Sequence, residues 1–192
     1  MTVYASPPGP GLQSDLFGVG QVTLGWIDSP LGPLVAGAAD RGVCLLEFSD
    51  RRMLKTQIAT LKRRLRTDAV PGEHPLLAEL GIELSEYFAG RRRKFTVPLF
   101  YPGSEFQRSV WNALQQIPYG ETCSYEALAA TVGRLGAQRA VGKANGDNRI
   151  AIVIPCHRVV RKDGSLCGYG GGLWRKQWLL ELEQGITPLA LE

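Results

Sequence analysis

The feature of this sequence that most restricts its fold is an apolar run, residues 150–154, that leads directly into Pro155, Cys156, His157 and Arg158. Five consecutive apolar residues predict a strand in the core. Such a strand would hold the Cys156 thiol rigidly at its end. Cysteine is a strong nucleophile at neutral pH, but only as the thiolate. Because an imidazole and a guanidinium beside it would favour that anion, we interpret Cys156 as a positioned nucleophile.

Composition excludes several other classes of protein. The 192 residues suffice for one large domain or two small ones. No run of about 18 apolar residues occurs, which excludes a membrane span. The four cysteines form no CxxC pair and there are only two histidines, so neither a disulfide framework, a metal site nor a cofactor is predicted. Reduced thiols are typical of a cytoplasmic protein.

Positive charge is concentrated around the candidate nucleophile. The net charge of the chain is only +4. Between residues 134 and 162, however, Asp147 is the single acid among seven bases: Arg134, Arg139, Lys143, Arg149, Arg158, Arg161 and Lys162. Such a patch attracts polyanions, of which nucleic acid is the first candidate. A solvated basic face explains the charge equally well.

The first half of the chain has the pattern of a small α/β domain, predicted over residues 21–98. Before it, residues 1–20 are rich in proline and glycine and predict a flexible tail without a signal peptide. Apolar and polar residues alternate over 22–48 with two turn signals, which predicts three short antiparallel strands. Helical spacing then predicts helices over 54–65 and 74–90.

The second half, residues 99–192, predicts a mostly helical domain. Ser104 and Gln107 form a capping box at the start of one helix. A second helix is predicted over 125–132 and a third over 137–144, joined by a turn that contains glycine, which is the form of a helix-turn-helix. A last helix is expected to bury one face, consisting of Trp174, Trp178 and Leu182.

The third of these helices carries small and basic side chains together. Ala140, Gly142 and Ala144 would let its backbone approach another surface closely, and Arg139 and Lys143 would attract phosphates. Tight packing inside the domain explains the small residues equally well.

Together these motifs resemble the O6-alkylguanine-DNA alkyltransferases, the methylated-DNA–protein-cysteine methyltransferases. The signature Pro155-Cys156-His157-Arg158 and Asn148 match in order with FQRSVW at 106–111, IPYGE at 117–121, SY at 124–125, RAVG at 139–142, GY at 168–169 and RKQWLL at 175–180. The resemblance therefore covers nearly all of 104–185. It is looser in the first half, through SPLGPL at 29–34 and EYFAG at 86–90.

The resemblance implies direct and irreversible DNA repair. An alkyl group on guanine O6, and also on thymine O4, would pass in one step to Cys156, and each protein molecule would act once. His157 would take the thiol proton through a water, Glu183 would orient that ring, and Asn148 would support the turn before the nucleophile. From the residues alone, Glu183 looks like a solvated carboxylate at a helix end.

The resemblance also implies how the damaged base is held. Tyr125 would donate a hydrogen bond to N3 of the base, the backbone of Tyr169 and Gly170 would face O6, and Val159 would line the pocket. The flexible glycine run 170–172 suggests that alkyl groups larger than methyl are admitted.

Double-stranded DNA is the partner that the resemblance implies. Arg139 would enter the space of a base that is flipped out at a cost of a few kcal/mol. Its helix would lie in the minor groove. The other DNA-contacting residues implied are Ala140, Gly142, Lys143, Ala144 and Asn145. A monomer in solution, cooperative on DNA, is expected.

The fold class expected is α/β (α+β). It combines a small N-terminal ribonuclease-H-like domain with a mostly helical C-terminal domain that carries a winged-helix-like helix-turn-helix. Two other functions remain open: a cysteine hydrolase that pairs Cys156 with His157 or His74, and a non-enzymatic lesion binder. The presence of Cys156 argues against the lesion binder, because such proteins lack the reactive cysteine.

Overall fold

The computed structural model describes residues 20–186. Apart from its last residue, the predicted tail 1–20 lies outside the described residues. The strands are β1 (Val22–Ile27), β2 (Leu34–Ala39), β3 (Gly42–Phe48), β4 (Ala69–Pro71), β5 (Cys123–Ser124) and β6 (Val159–Val160). The helices are α1 (Leu54–Leu65), α2 (Pro75–Phe88), α3 (Glu105–Leu114), α4 (Tyr125–Thr131), α5 (Gln138–Gly146) and α6 (Leu173–Glu183).

The first half forms one four-stranded sheet in the order β3-β2-β1-β4. The three antiparallel strands predicted from alternation are confirmed, and helices α1 and α2 lie where helical spacing predicted them. Strand β4 was not predicted. It has three residues, pairs parallel to β1 and ends in Pro71, so it is too short to show alternation.

The two halves share one hydrophobic core. A single cluster of buried residues contains Leu34 and Phe48 from the sheet together with Ile150 and Ile154. The backbones also join, because Leu46 N donates to Arg149 O (2.8 Å) and Ala151 N donates to Leu46 O (2.8 Å). The edge of the sheet at β3 therefore fixes the segment that carries the nucleophile.

The helix-turn-helix consists of α4 and α5. The capping box predicted for α3 is present, and Ser124 caps α4 by accepting from Ala127 N at 3.0 Å. Helix α5 begins one residue later than predicted and ends two residues later, at Gly146. The mixed α/β fold, with a sheet in the first half and helices in the second, is confirmed.

The predicted strand over residues 150–154 is wrong. These residues form a turn in which Ile152 has a positive φ of 70°, rare for a β-branched residue. The run is apolar because the whole turn is buried. Burial explains the composition, but it does not require an extended backbone.

The predicted buried face of α6 is also wrong in part. Trp174 is 45% exposed, whereas Arg175 and Lys176 are buried. Each buried charge has partners: Arg175 pairs with Asp50 at 2.8 Å, and Lys176 donates to the carbonyls of Val159 and Cys167. Trp178 and Leu182 do pack against the core, half-buried.

Within residues 20–186, no helix is both long and apolar enough to cross a membrane. The same residues contain no cluster of three or more His, Cys, Asp or Glu side chains that could hold a metal ion.

Candidate active site

Asn148 shapes the turn that presents Cys156. Its Oδ1 accepts from Ile150 N at 3.0 Å, and its Nδ2 donates to Ile154 O at 2.9 Å. The same Nδ2 group lies 3.2 Å from Cys156 Sγ. One amide therefore joins the two ends of the turn to the sulfur of Cys156, a residue that is 7% exposed and begins a short 3₁₀ turn.

The thiol of Cys156 is protonated at rest. Burial raises its pKa above the ordinary value of 9.0, and the hydrogen bond from Asn148 offsets this only in part. The expectation that His157 and Arg158 favour the thiolate is wrong for the resting state. Both side chains reach away from the sulfur to Glu183.

Glu183 is the centre of a buried network, not a solvated carboxylate. Its side chain is fully buried. Arg158 donates to it twice, from Nε (2.8 Å) and Nη2 (2.9 Å). Tyr87 OH donates at 2.7 Å, Gly120 N at 3.2 Å, and His157 Nε2 lies 2.8 Å from Oε1. The interpretation of Glu183 from its residue type alone is therefore wrong.

This network fixes the protonation of His157. Burial tends to raise the pKa of Glu183, but the hydrogen bonds from His157 and Arg158 and the positive charge of Arg158 outweigh it and hold that pKa well below its usual range. Burial lowers the pKa of His157. The pair is thus a carboxylate and a neutral imidazole whose Nε2–H donates to Glu183. Nδ1 of His157 is buried and has no hydrogen-bond partner among residues 20–186, so its lone pair is available to accept a proton.

A small cavity opens beside the sulfur. Its volume of about 20 Å³ holds about one water molecule. Besides Cys156, it is lined by Asn145 and Gly146 at the end of α5, by the loop 168–171, and by Glu47 and Arg51 from the first half of the chain. Both halves of the chain therefore contribute to the site.

Of the residues that the resemblance assigned to the substrate, Tyr169 and Gly170 line this cavity, whereas Tyr125 and Val159 do not. Tyr169 belongs to the loop. Its ring stands edge-on to that of Phe48, with the two ring centroids 6.3 Å apart, and its hydroxyl is buried without a hydrogen-bond partner in the described chain. Tyr125 packs against Gly142 of α5. Burial, followed by the nearby Cys167, raises the pKa of Tyr125, so the phenol keeps its proton. Val159 is fully buried.

Four of the six residues predicted to contact DNA are exposed or half-buried on α5. Arg139, Ala140 and Lys143 are exposed on α5, and Gly142 is half-buried behind Tyr125. Their role stays a prediction.

The expectation that Ala144 and Asn145 also face DNA is corrected, because both side chains are buried. The carbonyl of Ala144 accepts from Trp111 Nε1 at 2.8 Å. Asn145 lines the cavity, with its Nδ2 3.4 Å from Cys156 O. They therefore form the inner face of α5.

Sequence reasoning missed four residues of the site: Tyr87, Lys176, Glu47 and Arg51. Tyr87 lies in the EYFAG motif at 86–90, to which the resemblance assigned no role. Glu47 carried a weak signal, since it is one acid at the end of an otherwise apolar strand. Nothing in the sequence singled out Arg51.

Two family models match the chain. Residues 22–101 match the ribonuclease-like domain of 6-O-methylguanine DNA methyltransferase, and residues 105–185 match the DNA binding domain of the same family. The methylated-DNA–protein-cysteine methyltransferase of Mycolicibacterium paratuberculosis is 46% identical over 166 residues, covering 86% of this chain and 94% of that protein. The chain belongs to the 6-O-methylguanine DNA methyltransferase family.

More distant and structural relatives agree. The methylated-DNA–protein-cysteine methyltransferase of Methanosarcina barkeri is 42% identical, covering 82% of this chain and 94% of that protein. The crystal structure of Mycobacterium tuberculosis OGT in complex with DNA is similar with a TM-score of 0.72 and 42% identity, covering 86% of this chain and 93% of that chain. The M. tuberculosis O6-methylguanine methyltransferase structure gives a TM-score of 0.73 at 42% identity, covering 87% and 95%.

Proposed function

We propose that this protein repairs DNA by moving the alkyl group of O6-alkylguanine irreversibly to Cys156. The observation that carries the proposal is the arrangement around the sulfur: a buried thiol beside a cavity, followed directly by a neutral histidine whose Nε2 side is occupied by Glu183 and whose Nδ1 is available. Relatives that share more than 40% identity are methylated-DNA–protein-cysteine methyltransferases.

The reaction balances with the side chains present. His157 Nδ1 takes the proton of Cys156 through a water, and the resulting thiolate attacks the alkyl carbon. The new S–C bond forms as the C–O6 bond breaks, and the electron pair of that bond passes to the guanine. Tyr125, protonated because of its raised pKa, donates to N3 and limits the charge on the leaving base. The product is a thioether, which has no easily expelled group, so each molecule acts once.

Binding is proposed to use α5. Its exposed Arg139 and Lys143 supply positive charge, and its exposed Ala140 permits close approach to the minor groove. Because an alkyl group on O6 is hidden inside a duplex, the nucleotide has to flip out to reach the cavity beside Cys156. Phosphate contacts provide most of the affinity, so binding weakens with salt. O4-alkylthymine is a second substrate in this proposal.

We also propose how the protein assembles and where it works. It acts as a monomer that assembles cooperatively on DNA. It works in the cytoplasm, where its four free cysteines stay reduced.

The decisive experiment is intact-mass analysis of the reduced protein after exposure to duplex DNA that contains O6-methylguanine. We expect one added methyl group, located by peptide mapping on Cys156. The Cys156→Ala variant should bind the DNA but gain nothing, whereas Cys123→Ala, a matched change at a half-buried thiol, should react as the wild type does. Sustained product release in excess substrate would indicate a hydrolase, and binding without transfer would indicate a lesion sensor; either outcome contradicts the proposal.

A further inference from the structure

Arg51 crosses from the first half of the chain to the reactive site. Its guanidinium pairs with the buried carboxylate of Glu47 on β3. Its Nη2 donates to the carbonyl of Gly146, at the end of α5, at 2.8 Å. The side chain is only 11% exposed. These contacts fix the guanidinium over the cavity that also contains Cys156 on its wall.

The glycine loop beside Cys156 approaches Arg51 very closely. A Cβ atom built on Gly170 would lie 2.3 Å from Arg51 Cζ, and one built on Gly171 would lie 2.5 Å from Phe48 Cδ2. Neither separation is sterically allowed, so a side chain at either position requires a neighbour to move: the flexible end of Arg51 at Gly170, and the buried ring of Phe48 at Gly171. The volume that the loop lacks is filled by side chains of the first half. The glycines therefore do not by themselves make the pocket larger.

The space that remains is small. The carbon that is transferred has to reach Cys156 Sγ, so the rest of the alkyl group has to lie beside the sulfur, in this cavity. About 20 Å³ is room for about one water molecule, and it does not hold an aromatic ring. Of the side chains on the wall, Arg51 has the longest flexible arm and comes from outside the loop and α5.

We propose that Arg51 is a specificity-determining residue that limits the size of the alkyl group accepted by Cys156. The inference rests on the proposed alkyl transfer and adds to it the residue that sets its substrate range. A methyl group fits with Arg51 in place. A benzyl group requires the guanidinium to leave Glu47 and the carbonyl of Gly146, and this requirement slows its transfer relative to methyl.

The variants follow from the contacts. Arg51→Ala opens the cavity, but it leaves the buried carboxylate of Glu47 without its cation, which destabilises the fold. The double variant Glu47→Gln/Arg51→Ala removes that charge. Its glutamine keeps an oxygen that can accept the hydrogen bond which Phe48 N now donates to Glu47 Oε1 at 3.1 Å. Arg52→Ala is the matched control, because Arg52 is the adjacent arginine and is exposed.

The experiment measures single-turnover alkylation of Cys156 by two oligonucleotides that differ only in carrying O6-methylguanine or O6-benzylguanine. The readout is the ratio of the benzyl rate to the methyl rate, which a general loss of stability does not change. We expect this ratio to rise by about tenfold or more in Arg51→Ala and in the double variant. In Arg52→Ala it should equal that of the wild type.

The possible results separate the two proposals. If the wild type transfers neither group, the proposed function fails, whatever Arg51 does. If the wild type transfers methyl and the ratio is unchanged or lower in both folded Arg51 variants, the size limit lies elsewhere and the inference is overturned. Loss of both reactions in both folded variants would also overturn it, because Arg51 would then be required for transfer itself.

Discussion

Replacing Glu183 by glutamine tests the network that prepares His157. The amide is nearly isosteric but carries two donors in place of one carboxylate oxygen. With its oxygen toward Arg158 Nε and Gly120 N, its NH₂ faces His157 Nε2, Tyr87 OH and one further N–H of Arg158. In the opposite orientation, the NH₂ group would face two donors, Arg158 Nε and Gly120 N. The first orientation has one donor–donor conflict instead of two, so it is preferred.

That orientation changes the tautomer of His157. The new NH₂ requires Nε2 to accept a hydrogen bond, so the proton moves to Nδ1 and the available base disappears. A positioned general base contributes about 10²–10⁴-fold to a rate, and we expect Glu183→Gln to slow alkyl transfer by about that factor at pH 7. The buried Arg158 also loses its counterion, which lowers the free energy of unfolding by about 3–5 kcal/mol.

The assay is single-turnover transfer of a labelled methyl group from duplex DNA, at a temperature where circular dichroism shows the variant to be folded. Glu181→Gln is the control, because Glu181 lies on the same helix and its side chain accepts an exposed hydrogen bond from Gln177 at 2.8 Å. Raising the pH should recover part of the lost rate, because hydroxide then removes the thiol proton. A folded Glu183→Gln protein that reacts at nearly the wild-type rate would refute the role assigned to this carboxylate.

Three further predictions test other parts of the site. Arg139→Ala should slow transfer from duplex DNA and spare reaction with free O6-benzylguanine, as measured by single-turnover rates; equal losses on both would contradict a role in flipping. Burial lowers the pKa of His157, so the unfolded state binds its proton first as the pH falls below 6.5. The stability advantage of the wild type over His157→Gln in urea unfolding should therefore shrink from pH 6.5 to pH 5, and a constant difference would disprove the shift. Gly120 and Gly133 both have positive φ, but only at Gly120 would a Cβ meet another atom, Glu183 O at 2.8 Å. Gly120→Ala should thus cost at least about 1 kcal/mol more than Gly133→Ala in thermal unfolding, and equal costs would show that this contact is unimportant.

Local signals in the sequence were sufficient to predict most of the fold. The alternation over 22–48 predicted three antiparallel strands, although every residue of β2 and β3 is buried and neither strand has an exposed face. The capping box of Ser104 and Gln107 and the N-cap of Ser124 each satisfy backbone donors within three residues. Because such interactions depend on neighbours in the chain, the sequence shows them directly. The resemblance then identified Cys156, which the residues alone had already singled out.

What the sequence did not show depends on partners far along the chain. Tyr87 meets Glu183 across 96 residues, and Arg51 meets Gly146 across 95. A charged residue looks solvated until its counterion is known, which is why Glu183 and Lys176 were misjudged or missed. The turn at Ile152 was missed for a related reason. Its shape is imposed by Asn148 and by the edge of β3, whereas its composition reports only that it is buried.

The resting protonation states of Cys156 and His157 explain how a protein that reacts only once keeps its thiol from reacting with other electrophiles. Ordinary pKa values of 9.0 for Cys156 and 6.5 for His157 already make proton transfer between them uphill by about 3 kcal/mol. Burial raises the first pKa and lowers the second, so the structure makes the transfer harder still. A thiolate is therefore rare at rest, and Cys156 is only 7% exposed to other electrophiles. Alkyl transfer can still proceed because the S–C bond forms irreversibly and removes the thiolate as it appears. Burial thus explains the low resting reactivity of the thiol, and the stability of the thioether product explains why it reacts only once.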